Sequence, residues 1–257
     1  RRAYRELLLT APNANQYLSG AILFDETIRQ STKSGVPFAK VMMDNGIIPG
    51  IKVDLGSVGL PACPGEKITE GLDGLGTRLK TYFSMGARFA KWRAIIAIAD
   101  DLPTRTGIEA NAQTLARYAA LCQEAGLVPI VEPEVLLDGE HGMERCRDVT
   151  EEVLHQVFDQ LFRQHVMLEG IILKPNMVLP GLASATQETD DRIADATVNC
   201  MLRAVPAAVP GIAFLSGGQS SELATARLNA MHARFDLVSP PLPWALSFSF
   251  GRALQQE

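Results

Sequence analysis

The chain alternates from end to end between short apolar runs and longer amphipathic stretches. That alternation restricts its fold more than any other feature. The apolar runs end near Phe24, Asp54, Ile96, Glu132, Lys174, Ser216 and Phe250. Helical patterns lie between them, over Phe38 to Asn45, Thr69 to Met85, Gly107 to Ala125, Met143 to Gln164, Thr189 to Ala204 and Ser221 to Met231. Arg1 to Leu9 reads as the end of one more helix, and Ser57 to Glu66 as a Pro/Gly-rich loop. Strands separated by helices imply parallel pairing with helical crossovers, hence an α/β fold. No linker, composition shift or low-complexity segment divides the 257 residues. Two architectures satisfy the pattern. An open doubly wound sheet holds seven strands, whereas a closed TIM (β/α)8 barrel needs eight, and the abrupt start at Arg1 is where the eighth would fall.

Composition removes several functional classes. A chain with 47% hydrophobic and 21% charged residues has ample material for a core. A net charge of -5, with no Lys/Arg run, argues against a nucleic-acid partner. No apolar stretch reaches the roughly 18 residues a membrane span needs. Cys63, Cys122, Cys146 and Cys200 are scattered without metal-ligand spacing, and so are His141, His155, His165 and His232. Free thiols, and no histidine-built metal site, are the expectation.

The polar residues that remain inside the apolar runs are placed non-randomly. Lys52, Asp54, Lys91, Arg93, Glu132, Glu134, Lys174, Ser216 and Arg252 sit within or just beyond successive strand candidates. A single strand-end charge usually points into water. A series of them on one chain suggests a common end of the sheet, which in α/β barrels is where active sites form. Period-two alternation puts Glu132 and Glu134 on one face. Buried there, they would need cationic partners, and Lys91, Arg93 and Lys174 are candidates. Ordinary structural ion pairs would satisfy the same pattern.

Ile171 to Leu173 is an all-apolar run that ends on Lys174 and is stopped by Pro175. An ammonium at such a position is poorly solvated and gives up its proton more readily. A neutral amine attacks carbonyl carbon to form a Schiff base. Downstream, Ser216-Gly217-Gly218 and Gly251-Arg252 follow the last two runs. Glycine turns expose backbone N–H groups, and arginine grips phosphate oxygens, a recurrent pairing after the last strands of barrels. These residues describe a Schiff-base-forming barrel acting on a phosphorylated carbonyl compound. Lys174 would be the nucleophile, Lys91 would favour its neutral form by charge repulsion, and Glu132 would shuttle protons.

Gly170-Ile171-Ile172-Leu173-Lys174-Pro175-Asn176-Met177-Val178 resembles the active-site segment of class I fructose-1,6-bisphosphate aldolases. So do Gly50-Ile51-Lys52-Val53-Asp54, Phe89-Ala90-Lys91-Trp92-Arg93, Val128 to Glu134, Leu215 to Ser220 and Phe248 to Leu254, in the family's order. The resemblance implies a single, partial TIM-barrel domain over residues 1–257 that cleaves fructose 1,6-bisphosphate through an imine on Lys174, with no metal or organic cofactor. It implies that Glu132 is the general acid/base, that Lys91 contacts substrate, and that Glu134 positions Lys174. It further implies that Ser216, Gly217, Gly218, Ser249, Gly251 and Arg252 hold one phosphate, with Lys52 and Arg93 toward the other. A homotetramer, possible cytoskeletal partners and a cytoplasmic location follow from the same resemblance, a peroxisome-like organelle being the other compartment to test. The family's first strand, carrying a catalytic aspartate, and its C-terminal tail have no counterpart between Arg1 and Glu257. A chain this short would form the imine yet cleave poorly. The other readings are a Schiff-base aldolase preferring a different phosphorylated ketose, and an impaired barrel kept as a scaffold.

Overall fold

In a computed structural model, which describes residues 1–235 and 241–251, every neighbouring pair in the main sheet is parallel. Its strands are β1 (Gly20–Leu23), β2 (Ile48–Lys52), β5 (Phe89–Ile96), β6 (Val128–Val135), β7 (Ile172–Leu173), β8 (Gly211–Phe214) and β9 (Ala245–Phe248). A separate antiparallel hairpin, β3 (Ser57–Gly59) with β4 (Lys67–Thr69), follows β2. The spatial order β1-β2-β5-β6-β7-β8-β9 repeats the sequence order without a reversal. A doubly wound sheet reverses direction at its switch point. Steady progression in one direction is barrel winding, so the open-sheet alternative is excluded. Among the described residues β1 and β9 are the two edges of this curled sheet.

The helices are α1 (Arg2–Leu9), α2 (Asp25–Ile28), α3 (Phe38–Asp44), α4 (Leu75–Ser84), α5 (Arg105–Glu124), α6 (Met143–Arg163), α7 (Asp190–Ala204) and α8 (Ser221–Phe235). The long ones bury one apolar face. In α6 this face is Val149, Val153, Leu154, Val157, Phe158 and Leu161, at the three- and four-residue spacing of a helix. One hydrophobic core runs from Leu23 to Trp244 and includes Trp92, stacked at 5.5 Å on Tyr118 of α5. The start of α5 is fixed by its cap. Thr104 Oγ1 accepts a hydrogen bond from Gly107 N at 3.1 Å, and the buried Glu66 carboxylate accepts from Thr104 N at 2.9 Å and from the Thr104 hydroxyl.

Two sequence expectations need correction. The helix expected over Thr69 to Met85 begins only at Leu75, because Lys67–Thr69 pairs with the strand inside the supposed loop. Gly71, at φ +124°, separates the two elements. The run expected to end near Glu132 instead continues through Pro133 and Glu134 to Val135, so that Glu132 to Val135 lie in register with Arg93 to Ile96.

Proline should have stopped that strand, and the register shows why it does not. The N–H groups of Val128 and Leu136 point to β5, whereas that of Val135 points to the β7 side. Alternation therefore turns positions 129 and 133 toward β7 as well. β7 pairs only opposite Ile130 and Val131. The donors that Pro129 and Pro133 lack are thus donors no strand could have received. Where β7 has ended, Asn176 Oδ1 accepts from Val135 N at 3.1 Å, and its Nδ2 donates to Thr150 Oγ1 at 3.0 Å.

Candidate active site

The parallel register brings the strand-end polar residues to one level. Lys52 pairs opposite Lys91, and Arg93 opposite Glu132. Side chains of the same parity then project from neighbouring strands into one space at the carboxyl end of the sheet. Lys174 follows β7 directly, its backbone N–H donating to Val131 O at 2.8 Å. Lys91, Glu132, Glu134, Lys174 and Asp54 are all buried, at 8%, 3%, 6%, 8% and 6% exposure.

Charge alternates through this cluster. Glu132 Oε1 lies 2.9 Å from Lys174 Nζ, and its Oε2 lies 3.0 Å from Lys91 Nζ. Lys91 Nζ is also 3.7 Å from Asp54 Oδ2. Asp54 Oδ1 in turn accepts from Lys52 Nζ at 2.5 Å and from Gly56 N at 3.2 Å. Along the row Lys52, Asp54, Lys91, Glu132, Lys174 the signs run plus, minus, plus, minus, plus. Isolated buried charges are costly, and this chain compensates each one with a neighbour of opposite sign. Arg93 and Glu134 form a separate ion pair alongside. Burial alone would depress the Arg93 guanidinium, but the bond to Glu134 and its charge outweigh this and hold it above its ordinary value.

Lys174 was expected to be poorly solvated at the end of an apolar run. It is buried, but a carboxylate sits against its ammonium. Glu132 and Lys174 each lie one residue beyond the last β6–β7 pair, Val131 with Leu173, so the carboxylate stands level with the ammonium.

The phosphate candidates occupy the next strands around. Ser216, Gly217 and Gly218 form the turn after β8, with φ +59° at Gly217 and +88° at Gly218, a left-handed pair of positions suited to glycine. Ser249 lies just past β9, its N–H bonded to Phe214 O at 2.9 Å, and Gly251 is exposed. Arg252 lies outside the described residues. Lys52 is a quarter exposed, over the face of Phe24 at 5.7 Å, and the Arg93 side chain is 41% exposed, so both reach the open side of the cluster. Asp54, counted among the strand-end residues but given no role, is the member that sequence reasoning passed over. Its position two residues after Lys52, on the same face, was the available signal.

A parallel barrel sheet with an acid–base cluster at its strand ends, beside a glycine turn, defines a barrel enzyme acting on an anionic substrate. The model for the family Fructose-bisphosphate aldolase class-I matches residues 1–257. A Xylella fastidiosa protein named as a probable fructose-bisphosphate aldolase class 1 is 60% identical over 256 residues, covering 100% of this chain and 75% of the relative. The cytoplasmic isozyme 1 of fructose-bisphosphate aldolase from Pisum sativum is 56% identical, over 100% of this chain and 70% of its own length. The solved fructose-bisphosphate aldolase of Plasmodium falciparum, in complex with TRAP and a small-molecule inhibitor, superposes with a TM-score of 0.95 at 48% identity, covering 99% of this chain and 73% of that one. The chain belongs to the class I fructose-bisphosphate aldolases. Its activity is accordingly that of a lyase on a phosphorylated sugar.

Proposed function

We propose that Lys174 is the residue that carries the Schiff base and that Glu132 moves the protons of its formation. The observation that carries this reading is the single carboxylate of Glu132 in contact with both Lys174, at 2.9 Å, and Lys91, at 3.0 Å. Only a neutral amine attacks the C2 carbonyl of fructose 1,6-bisphosphate. Glu132 is placed to take the Lys174 proton and return it to the departing hydroxyl when the carbinolamine loses water. The protonated imine then withdraws electrons from C2. The C3–C4 bond breaks, its electron pair forming the enamine, and the C4 hydroxyl loses its proton as glyceraldehyde 3-phosphate leaves. Protonation of the enamine at C3 and hydrolysis of the imine release dihydroxyacetone phosphate and free Lys174.

Lys91, held between Asp54 and Glu132, contributes positive charge against Lys174 and contacts substrate. Glu134 and Arg93 hold that wall of the site. The turn Ser216-Gly217-Gly218, with Ser249, Gly251 and Arg252, takes one phosphate, and Lys52 with Arg93 faces the other. We assign residues 1–257 to one barrel domain. We also assign the protein to a homotetramer in the cytoplasm, a location supported by the names of a cytoplasmic isozyme from Pisum sativum and a cytosolic one from Arabidopsis thaliana. Cytoskeletal partners belong to the same proposal.

Borohydride reduction in the presence of dihydroxyacetone phosphate tests the central assignment. A covalent adduct mapping to Lys174 is expected, and K174R should abolish it in a folded protein, because arginine does not supply a neutral amine. An adduct on another lysine, or none, rejects the assignment.

A further inference from the structure

Behind the Ser216–Gln219 turn stands a charge that the chemistry above does not use. Arg227 of α8 is 5% exposed. Its Nη1 donates to Gln219 Oε1 at 2.6 Å, and its Nε to Asp190 Oδ1 at 3.2 Å. Gln219, 6% exposed, turns its other amide atom to the turn: Nε2 donates to Ser216 O at 2.9 Å. The same carbonyl also accepts from Gln219 N at 3.0 Å.

We propose that Arg227 is a positioning residue for phosphate binding, acting through Gln219 on the Ser216–Gly217 peptide, an inference that rests on the phosphate assignment made above. The chemistry of the groups gives the direction of each link. A guanidinium only donates, so the Gln219 oxygen must face it, and the NH2 must then face Ser216. That orientation draws the Ser216 carbonyl back toward Gln219. In a trans peptide the C=O and the following N–H point in opposite directions, so the Gly217 N–H is turned the other way, out of the turn. Among the described residues neither Gly217 N nor Gly218 N finds an acceptor within the protein. Donors of this kind, preset on a glycine turn, fit an anion.

Charge adds to position. Asp190 offsets Arg227 only in part: its contact is a single 3.2 Å approach, its side chain is 41% exposed, and it opens α7, where a carboxylate is shared with the helix N-terminus. Residual positive potential is left directly behind the turn, where little solvent screens it.

The test compares a phosphorylated with an unphosphorylated ligand. Borohydride trapping at Lys174 is measured against concentration for dihydroxyacetone phosphate and for dihydroxyacetone, with inorganic phosphate as competitor. In R227M the half-saturating concentration of dihydroxyacetone phosphate should rise about tenfold, and phosphate should compete about tenfold more weakly. Trapping of dihydroxyacetone should not change, and R227K should recover part of the loss. Equal losses with both ligands would reduce Arg227 to a structural role, and no loss in a folded R227M would overturn the inference. Should R227M not fold, Q219M interrupts the same link from the other end and must show the same selective loss. Absence of a Lys174 adduct in the wild-type protein would instead reject the site assignment itself.

Discussion

Glu132 Oε1 lies 2.9 Å from the Lys174 ammonium, and the two residues come from adjacent strands that pair only at Ile130–Ile172 and Val131–Leu173. Glu132 and Lys174 each follow the last residue paired in that ladder, which puts their side chains at the same height. One carboxylate can then serve two lysines. Glu132→Gln keeps the shape and removes both the charge and the proton-accepting capacity. The expected outcome is a roughly 10²- to 10⁴-fold lower kcat with fructose 1,6-bisphosphate, the range for loss of a general acid/base. Steady-state kinetics on a variant with unchanged circular dichroism checks this, and a kcat near wild type would remove Glu132 from proton transfer.

Asp54 ties the outer lysine of the row to the inner one. Asp54→Ala leaves Lys91 with Glu132 alone and releases Lys52, which is already a quarter exposed. The backbone N–H of Gly56 loses its acceptor at the same time. The expected loss of stability is about 1–3 kcal/mol, with kcat/KM falling further than stability accounts for. Urea denaturation and kinetics on the same preparation separate the two effects.

Gly107 shows how closely a buried carboxylate can rest on a helix. A Cβ at this position would fall on Glu66 Oε1. Ala is the better helix former by about 1 kcal/mol. Gly107→Ala should nevertheless destabilise the protein by about 2 kcal/mol or more, because Glu66 must leave the bonds it makes to Thr104. A denaturation midpoint at or above that of the wild type would contradict this account of the α5 cap.

The buried thiols set the alkaline limb of stability. Burial first, then the charge of Glu151, pushes Cys200 up to about 12. Burial also raises Cys146, and it raises Cys122 further despite the Tyr118 hydroxyl. In the unfolded chain a thiol titrates near ~8.5. The fold therefore holds these protons more tightly, so the stability they contribute is complete below about pH 8.5 and is lost as pH rises from there toward about 12. Each thiol contributes a slope of at most about 1.4 kcal/mol per pH unit in that window. The denaturation midpoint should fall from pH 8.5 to 10.5, with a shallower fall in C200A. In the folded protein at pH 8, iodoacetamide should reach Cys63, which is half-buried, ahead of the three buried thiols. Mass spectrometry of the alkylated peptides tests that order.

The alternation of apolar runs with amphipathic stretches was enough to determine an α/β fold with parallel strands. The strand-end polar residues, read along the chain, were enough to name Lys174, Glu132, Lys91, Glu134, Lys52 and Arg93 as one group. These features are legible because they are periodic and local: a strand has period two, a helix 3.6, and a lysine closing an apolar run stands out. The choice between doubly wound sheet and barrel lay in the spatial order of the strands, which no local pattern encodes. The continuation of β6 through Pro133 depended on which neighbour its missing donor faced, and that is a property of pairing. The Glu132–Lys174 contact, the bridging position of Asp54 and the link from Arg227 through Gln219 to Ser216 join residues that lie up to 42 positions apart. Buried charges must be compensated by whatever the fold brings within reach, so only the tertiary structure decides which partner each one has.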